Sequence, residues 1–193
     1  EDKRLRDEYQ HFSSPEESRH LANEVTQELV DTMSEAVREE YGIVAEFYRM
    51  KKDILGVDVL YDYDRYAPVD VKSRTYPFGK AQSIVLKSYA KFSPVLKKHA
   101  LQFFEKNWID ADVRHGKRGG AFCSFGTPDT HPVVFLNYLG TVKHVLTLAH
   151  ELGHGVHASL MRNQTMLNFD TPLVIAETAS VFGEMLVFDS LRQ

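Results

Sequence analysis

The segment LAHELGHGVHASL, Leu148 to Leu160, constrains this chain more than any other. Leu148, Leu152, Val156 and Leu160 recur every four residues, a spacing that predicts a helix. The same helix carries His150, Glu151, His154 and His157. His150 and His154 are four residues apart, so they project from one face, one turn apart. Two imidazoles so placed can hold one Zn²⁺. Glu151 is turned about 100° from His150. It is a poor further ligand but is well placed to reach a water beside the metal. With Asp counted as Glu, the chain's own composition gives roughly 0.06 chance matches to this pattern. The motif therefore points to a metal site and demands a third ligand.

His157 lies on the same rigid helix, two turns from His150, and would not close a tetrahedral site well. The pattern HExxHxxGxxH needs Gly and His where this chain has His157 and Leu160, so that class is excluded. A glutamate from a second helix is the other solution. IAETASVFGEML offers Glu177 and Glu184, seven residues apart and on one face. Next to Ile175, Ala176, Ala179 and Val181, a carboxylate is unfavourable to bury without a partner. Each glutamate could instead stand on a solvated face.

The rest of the chain reads as mainly helical. Ser14-Pro15-Glu16-Glu17 predicts a helix start, followed by one apolar stripe of Leu21, Val25, Leu29, Met33 and Val37. Gly42 is a candidate break, and a second piece runs to about Leu55, ended by Gly56. VDVLYDYDRYAPV reads as an extended connection, with Tyr61, Tyr63 and Tyr66 as packing residues. Further helices are expected from about Gly79 to Phe92 and from Ser93-Pro94 onward, the latter with Leu96, Ala100, Phe103 and Phe104 on its apolar face. Ala121 to Phe125 and Val133 to Tyr138 are β-like and predict a small antiparallel hairpin. Thr141 can cap the His150 helix, RNQTMLNFDTP is a loop, and Leu173 opens a last helix running through VFDSLRQ.

Composition narrows the function classes. At 193 residues and 43% hydrophobic, the chain can build one core. A net charge of -4 gives no general drive toward nucleic acid or acidic membranes, and no run is apolar enough to cross a bilayer. The single cysteine, Cys123, precludes an internal disulfide and fits a reducing, cytoplasmic setting. It reads as a small strand residue rather than a nucleophile. The chain lacks an initiator Met and ends within an expected helix, so it is expected to be part of a longer protein. Its oligomeric state is not legible.

HELGHGVH followed by ETAS resembles the M3 family of zinc oligopeptidases, in particular its oligoendopeptidase F branch. GKRGGAFCSFG, THPVVFLNYLGTVKHVLTLAHELGH and MKKDILGVDVLYDYDRYAPV extend the resemblance over most of the chain, from about Ser18 to Leu191. The resemblance implies a mainly α, zincin-like (gluzincin) catalytic domain with a small β-hairpin, truncated here. It would span 1–193 as one partial domain: a helical region at 1–115, a substrate-edge hairpin at 116–140 and zinc-binding helices at 141–193. It implies His150, His154 and Glu177 as ligands of one Zn²⁺, Glu151 as catalytic base, and oligopeptides as substrates. The family's oxyanion-steadying tyrosine and histidine lie C-terminal to any segment in this chain.

The expected chemistry is peptide hydrolysis by a metal-activated water. Gly119, Gly120, Ala121 and Phe122 are expected to form a strand at the cleft edge, to which a peptide could add. His157 is read as a hydrogen-bond partner behind the metal ligands or, more simply, a core-edge residue. Ser180 and Glu184 could orient a ligand, and Lys117-Arg118 reads as a solvated turn. The alternative is a catalytically silent zinc-binding fragment or interaction module. A helical domain without metal would require the HExxH pattern to be accidental.

Overall fold

The computed structural model describes residues 2–69 and 74–192. The chain divides into two compact units, Glu1–Ser73 and Arg74–Gln193. The first contains helices α1 (Asp2–Tyr9), α2 (Glu17–Ala22), α3 (Gln27–Glu39) and α4 (Tyr41–Leu55). The second contains α5 (Phe78–Phe92), α6 (Pro94–Glu105), strands β1 (Ile109–Asp110), β2 (Phe122–Ser124) and β3 (Val133–Phe135), and helices α7 (Val142–Met161) and α8 (Leu173–Arg192). Among the described residues no helix is long and apolar enough to cross a membrane.

The first unit departs most from the sequence expectation. The stripe from Leu21 to Val37 does not lie on one helix. It breaks where Glu24 takes a positive φ of 54°, and α3 restarts with the Thr26 hydroxyl accepting from Leu29 N at 3.2 Å. Thr26 satisfies one of the free N–H groups of the first turn, a stronger local start than Ser14 supplies for α2. The junction of α3 and α4 falls at Glu40, with Gly42 inside the first turn of α4. Gly56 ends α4 in the left-handed region, φ 65°, as expected. The aromatic connection is not extended: Asp62–Tyr66 forms a 3-10 helix, and Asp64 Oδ2 accepts from Tyr61 N at 3.0 Å. Tyr61, Tyr63 and Tyr66 are exposed rather than packed, with the first two rings stacked on one another.

The second unit follows the local signals closely. Ser93 caps α6, with Pro94 at its first position, and the Thr141 hydroxyl caps α7. α8 runs to Arg192, with Gln193 outside the described residues. RNQTMLNFDTP contains a 3-10 turn at Met166–Asn168. Buried Ala81, Val85 and Tyr89 of α5, Ala100 and Phe103 of α6, Val145, Leu148, Leu152 and Val156 of α7, and Val187 of α8 form one core with Val134 and Leu136.

β2 and β3 pair antiparallel in the register Phe122↔Phe135, Cys123↔Val134, Ser124↔Val133, which is the expected hairpin. β1 adds to β3 in parallel, giving the order β1-β3-β2. That third strand is absent from the sequence reading, because two residues carry no period of their own. β2 is consequently an edge strand.

Candidate metal centre

α7 buries the apolar stripe Val145, Leu148, Leu152 and Val156, and this fixes the rotation of the helix. His150, Glu151 and His154 are thereby turned toward a cleft of about 630 Å³. Residues 121–126 line it from the β2 side; Asp170, Thr171, Leu173, Ala176 and Glu177 line it from α8 and the loop before it.

His150 Nε2 lies 3.3 Å, and His154 Nε2 3.7 Å, from Glu177 Oε2. Ligand bonds of about 2.0–2.1 Å at tetrahedral angles place donor atoms roughly 3.3–3.4 Å apart. The first separation matches that spacing and the second is a few tenths of an ångström wider, so the three side chains could hold a metal ion after a small adjustment. Among the described residues they are the one group of three donors close enough to share an ion.

Surrounding groups orient these donors. Glu184 Oε2 stands 3.1 Å from His150 Nδ1. A carboxylate there accepts from Nδ1–H, which leaves Nε2, on the Glu177 side, as the nitrogen available to an ion. The Ser180 hydroxyl lies 2.9 Å from Glu177 O and 3.0 Å from Glu177 Oε2, steadying that carboxylate from the next turn of α8. Burial holds His154 toward its neutral form, outweighing the opposing pull of Glu177, and neutral imidazole is the ligating form.

The crossing of α7 and α8 depends on small residues. A Cβ on Gly153 would stand 2.7 Å from Ala179 O and 2.8 Å from Ser180 Cα. A larger residue would push α8, and Glu177 with it, away from the histidines. Tyr89 of α5 donates from its hydroxyl to Ala149 O at 2.7 Å, one residue before His150. Gly153 is legible in retrospect, because a glycine inside a helix is unfavourable unless something approaches closely.

Glu151 is 6% exposed, and burial pushes its carboxyl up to about 7; His150 lowers it and Glu177 raises it. A divalent cation beside it would pull that value back down. Cys123, also in the cleft, has its thiol pushed up to about 12 by burial, with Glu151 adding to the effect. It is not an activated nucleophile.

The remaining sequence candidates divide. Ala121 and Phe122 line the cleft, but Phe122 alone belongs to β2. Gly119, Gly120 and Ala121 precede the strand, and Gly120 takes φ 90°, incompatible with extended pairing. The expected strand over 119–122 is corrected to Phe122–Ser124. His157 has a buried Nδ1 with no hydrogen-bond partner among the described residues; its ring lies 6.4 Å from Phe125. Lys117 is not in a solvated turn: its side chain is 2% exposed.

The model of Peptidase family M3 matches residues 6–193. Group B oligopeptidase PepB of Streptococcus agalactiae is 30% identical over 182 residues, which cover 94% of this chain and 30% of that protein. An oligoendopeptidase F homolog of Lactococcus lactis is 31% identical over 173 residues, 89% of this chain and 29% of that protein. The chain thus spans about 30% of the length of these relatives. The solved structure of a candidate peptidase from Chlamydophila abortus superposes with a TM-score of 0.78 at 27% identity, over 98% of this chain and 32% of that one. This chain belongs to peptidase family M3, in its oligoendopeptidase F branch.

Proposed function

We propose that this chain carries the metal-binding core of a zinc-dependent metalloendopeptidase that hydrolyses short peptides. The observation that carries the reading is the convergence of His150, His154 and Glu177, whose donor atoms all lie within 4.8 Å of one another, with Glu151 beside them in one cleft. A zinc ion held there would lower the pKa of a water and polarise the scissile carbonyl. Glu151 takes the proton of the attacking water and delivers it to the departing amine nitrogen. The edge strand β2 offers unpaired backbone groups along the cleft, so the substrate adds to it in extended form, and Ala121 and Phe122 flank its path.

The names of the relatives, oligopeptidase and oligoendopeptidase F, support an oligopeptide substrate. We read 1–193 as one partial catalytic domain in which 1–115 is scaffold, 116–140 the substrate edge and 141–193 the zinc helices. A reducing, cytoplasmic setting is supported by the single cysteine.

Elemental analysis and turnover of a quenched fluorescent peptide test the assignment. Glu177→Ala should lose stoichiometric zinc. Glu151→Gln should keep it while turnover falls by about 10² to 10⁴. Loss of zinc from Glu151→Gln would make Glu151 a ligand, and undiminished turnover would remove it as base. Zinc retained by the unaltered protein without any turnover would favour a silent metal-binding module.

A further inference from the structure

Lys117 is a buried cation that the metal chemistry does not use. Its Nζ lies 2.7 Å from Asp112 O, 2.8 Å from Leu136 O, 3.0 Å from Asp110 Oδ1 and 3.1 Å from Asp110 O. An ammonium has three protons, so four acceptors saturate it and compensate its removal from water. These acceptors come from β1, from the loop after it and from the residue that follows β3. One side chain therefore ties the start of the 111–121 loop to the central strand.

The tie continues to the cleft through two routes. Lys117 Nζ stands 4.5 Å from the ring centre of Phe135, and that ring stacks on Phe122 at 4.8 Å and 15°. Phe122 lines the cleft. The Asn137 amide donates to Arg118 O at 2.9 Å and Gly120 O at 3.2 Å. The segment entering β2 is thus held through the Lys117 side chain and the carbonyls of 118 and 120, in part against Leu136 and Asn137, which directly follow the strand that β2 pairs with.

β2 needs such help. It is three residues long, shorter than the five or six residues typical of a strand. A slip of one residue would exchange Cys123 with its neighbours across the faces of the sheet. Phe125, just beyond β2, has its ring 6.2 Å from that of His154, so a slip would also disturb the metal side of the cleft.

We propose that Lys117 is a positioning residue that sets the register of β2 and so presents the edge on which a substrate backbone pairs. The inference rests on the reading of β2 as the substrate strand. Its test uses the full polypeptide that carries this sequence, as Lys117→Met and Asn137→Ala. The probe is one fluorogenic peptide and a set of analogues, each N-methylated at one backbone amide. The unaltered protein should discriminate against at least one analogue roughly tenfold, because N-methylation removes a pairing donor. Lys117→Met should raise KM roughly tenfold, leave kcat within about threefold and zinc content unchanged, and bring the discrimination close to one. Asn137→Ala should move KM and discrimination the same way by about threefold. It removes two backbone tethers without leaving a buried charge, so it carries the test if Lys117→Met does not fold. Unchanged KM and discrimination in a zinc-loaded variant overturn the proposal, as does loss of zinc and kcat together. Failure of the unaltered protein to discriminate among analogues it cleaves removes the edge-strand reading, and the role of Lys117 with it. Failure to cleave any of them with zinc bound removes the peptidase reading beneath both.

Discussion

Leu29, Met33 and Val37 stand on one stripe of α3, and each is more than half exposed; Val145, Leu148, Leu152 and Val156 stand on one stripe of α7, and each is buried. Their local patterns are alike. The difference lies in what meets the stripe. α7 is crossed by α8 where Gly153 faces Ala179 and Ser180, so the backbones approach closely and the side chains on either side interlock. Within the first unit, α3 has no buried residue at all. A groove of about 700 Å³ in that unit, between α4 and residues 58–65, is larger than the cleft beside α7, yet among the described residues it holds no set of three metal donors. Size does not make a site; donors held at fixed separation by a packed crossing do.

Truncating one leucine from each stripe gives the largest contrast. Leu152→Ala leaves a cavity in a fully buried position and should destabilise the second unit by about 2–5 kcal/mol. Leu29→Ala, at 57% exposed, should change stability by no more than about 0.5 kcal/mol. Chemical denaturation followed by circular dichroism reads both, and equal effects would break the comparison.

The two glycines refine it. Gly153→Ala drives a methyl into Ala179 O and should cost about 1–3 kcal/mol by overpacking, with weakened zinc binding as α8 moves out. Gly42→Ala meets nothing within 4 Å inside α4 and should stabilise by up to about 1 kcal/mol. Thermal melts with and without chelator separate the packing effect from the metal effect.

Glu184→Ala tests whether orientation, beyond ligand identity, matters at the centre. It frees His150 Nδ1 from its acceptor and should weaken zinc roughly 10- to 100-fold without unfolding the chain. Competition with a chromogenic chelator measures this, and wild-type affinity would leave Glu184 as a bystander.

The smallest effect is a pH dependence at Asp110, which accepts from Arg114 and Lys117. Hydrogen bonds from Arg114 and then Lys117 hold the Asp110 carboxyl well below its ordinary 3.8. A depressed folded-state pKa contributes stability that is present above the unfolded value and is lost as pH falls through the folded one. The stability difference between the unaltered protein and Asp110→Asn should therefore be constant near neutrality and shrink as pH drops below about 4. Denaturation midpoints at several pH values check this.

The second unit was legible where the information is local. Ser93 and Thr141 cap helices because a hydroxyl satisfies a first-turn N–H; in the first unit Gly56 likewise ends α4 because it tolerates a positive φ. His150, Glu151 and His154 could be placed together before any fold was known, since a helical turn alone sets their spacing. Glu177 and Glu184 were legible as a pair of candidates on one face. Their division of labour, Oε2 of one 3.3 Å from His150 Nε2 and Oε2 of the other 3.1 Å from His150 Nδ1, was not. It depends on where α8 crosses α7.

Lys117 shows the same boundary. In the sequence it sits beside Arg118 between glycines, with every mark of a solvated turn; its four oxygen partners include Leu136, nineteen residues away. The parallel pairing of Ile109 with Val134 is likewise invisible to periodicity, because two residues complete no pattern. The sequence by itself determined the helices of the second unit and that a candidate metal-binding pair of histidines with an adjacent glutamate lies on one of them. Tertiary structure alone decided which carboxylate meets that pair, which strand edge borders it and which apolar stripe is buried. The physical reason is that periodicity and capping act over a few residues, whereas these contacts join elements far apart in the chain and are set by how closely small residues let them approach.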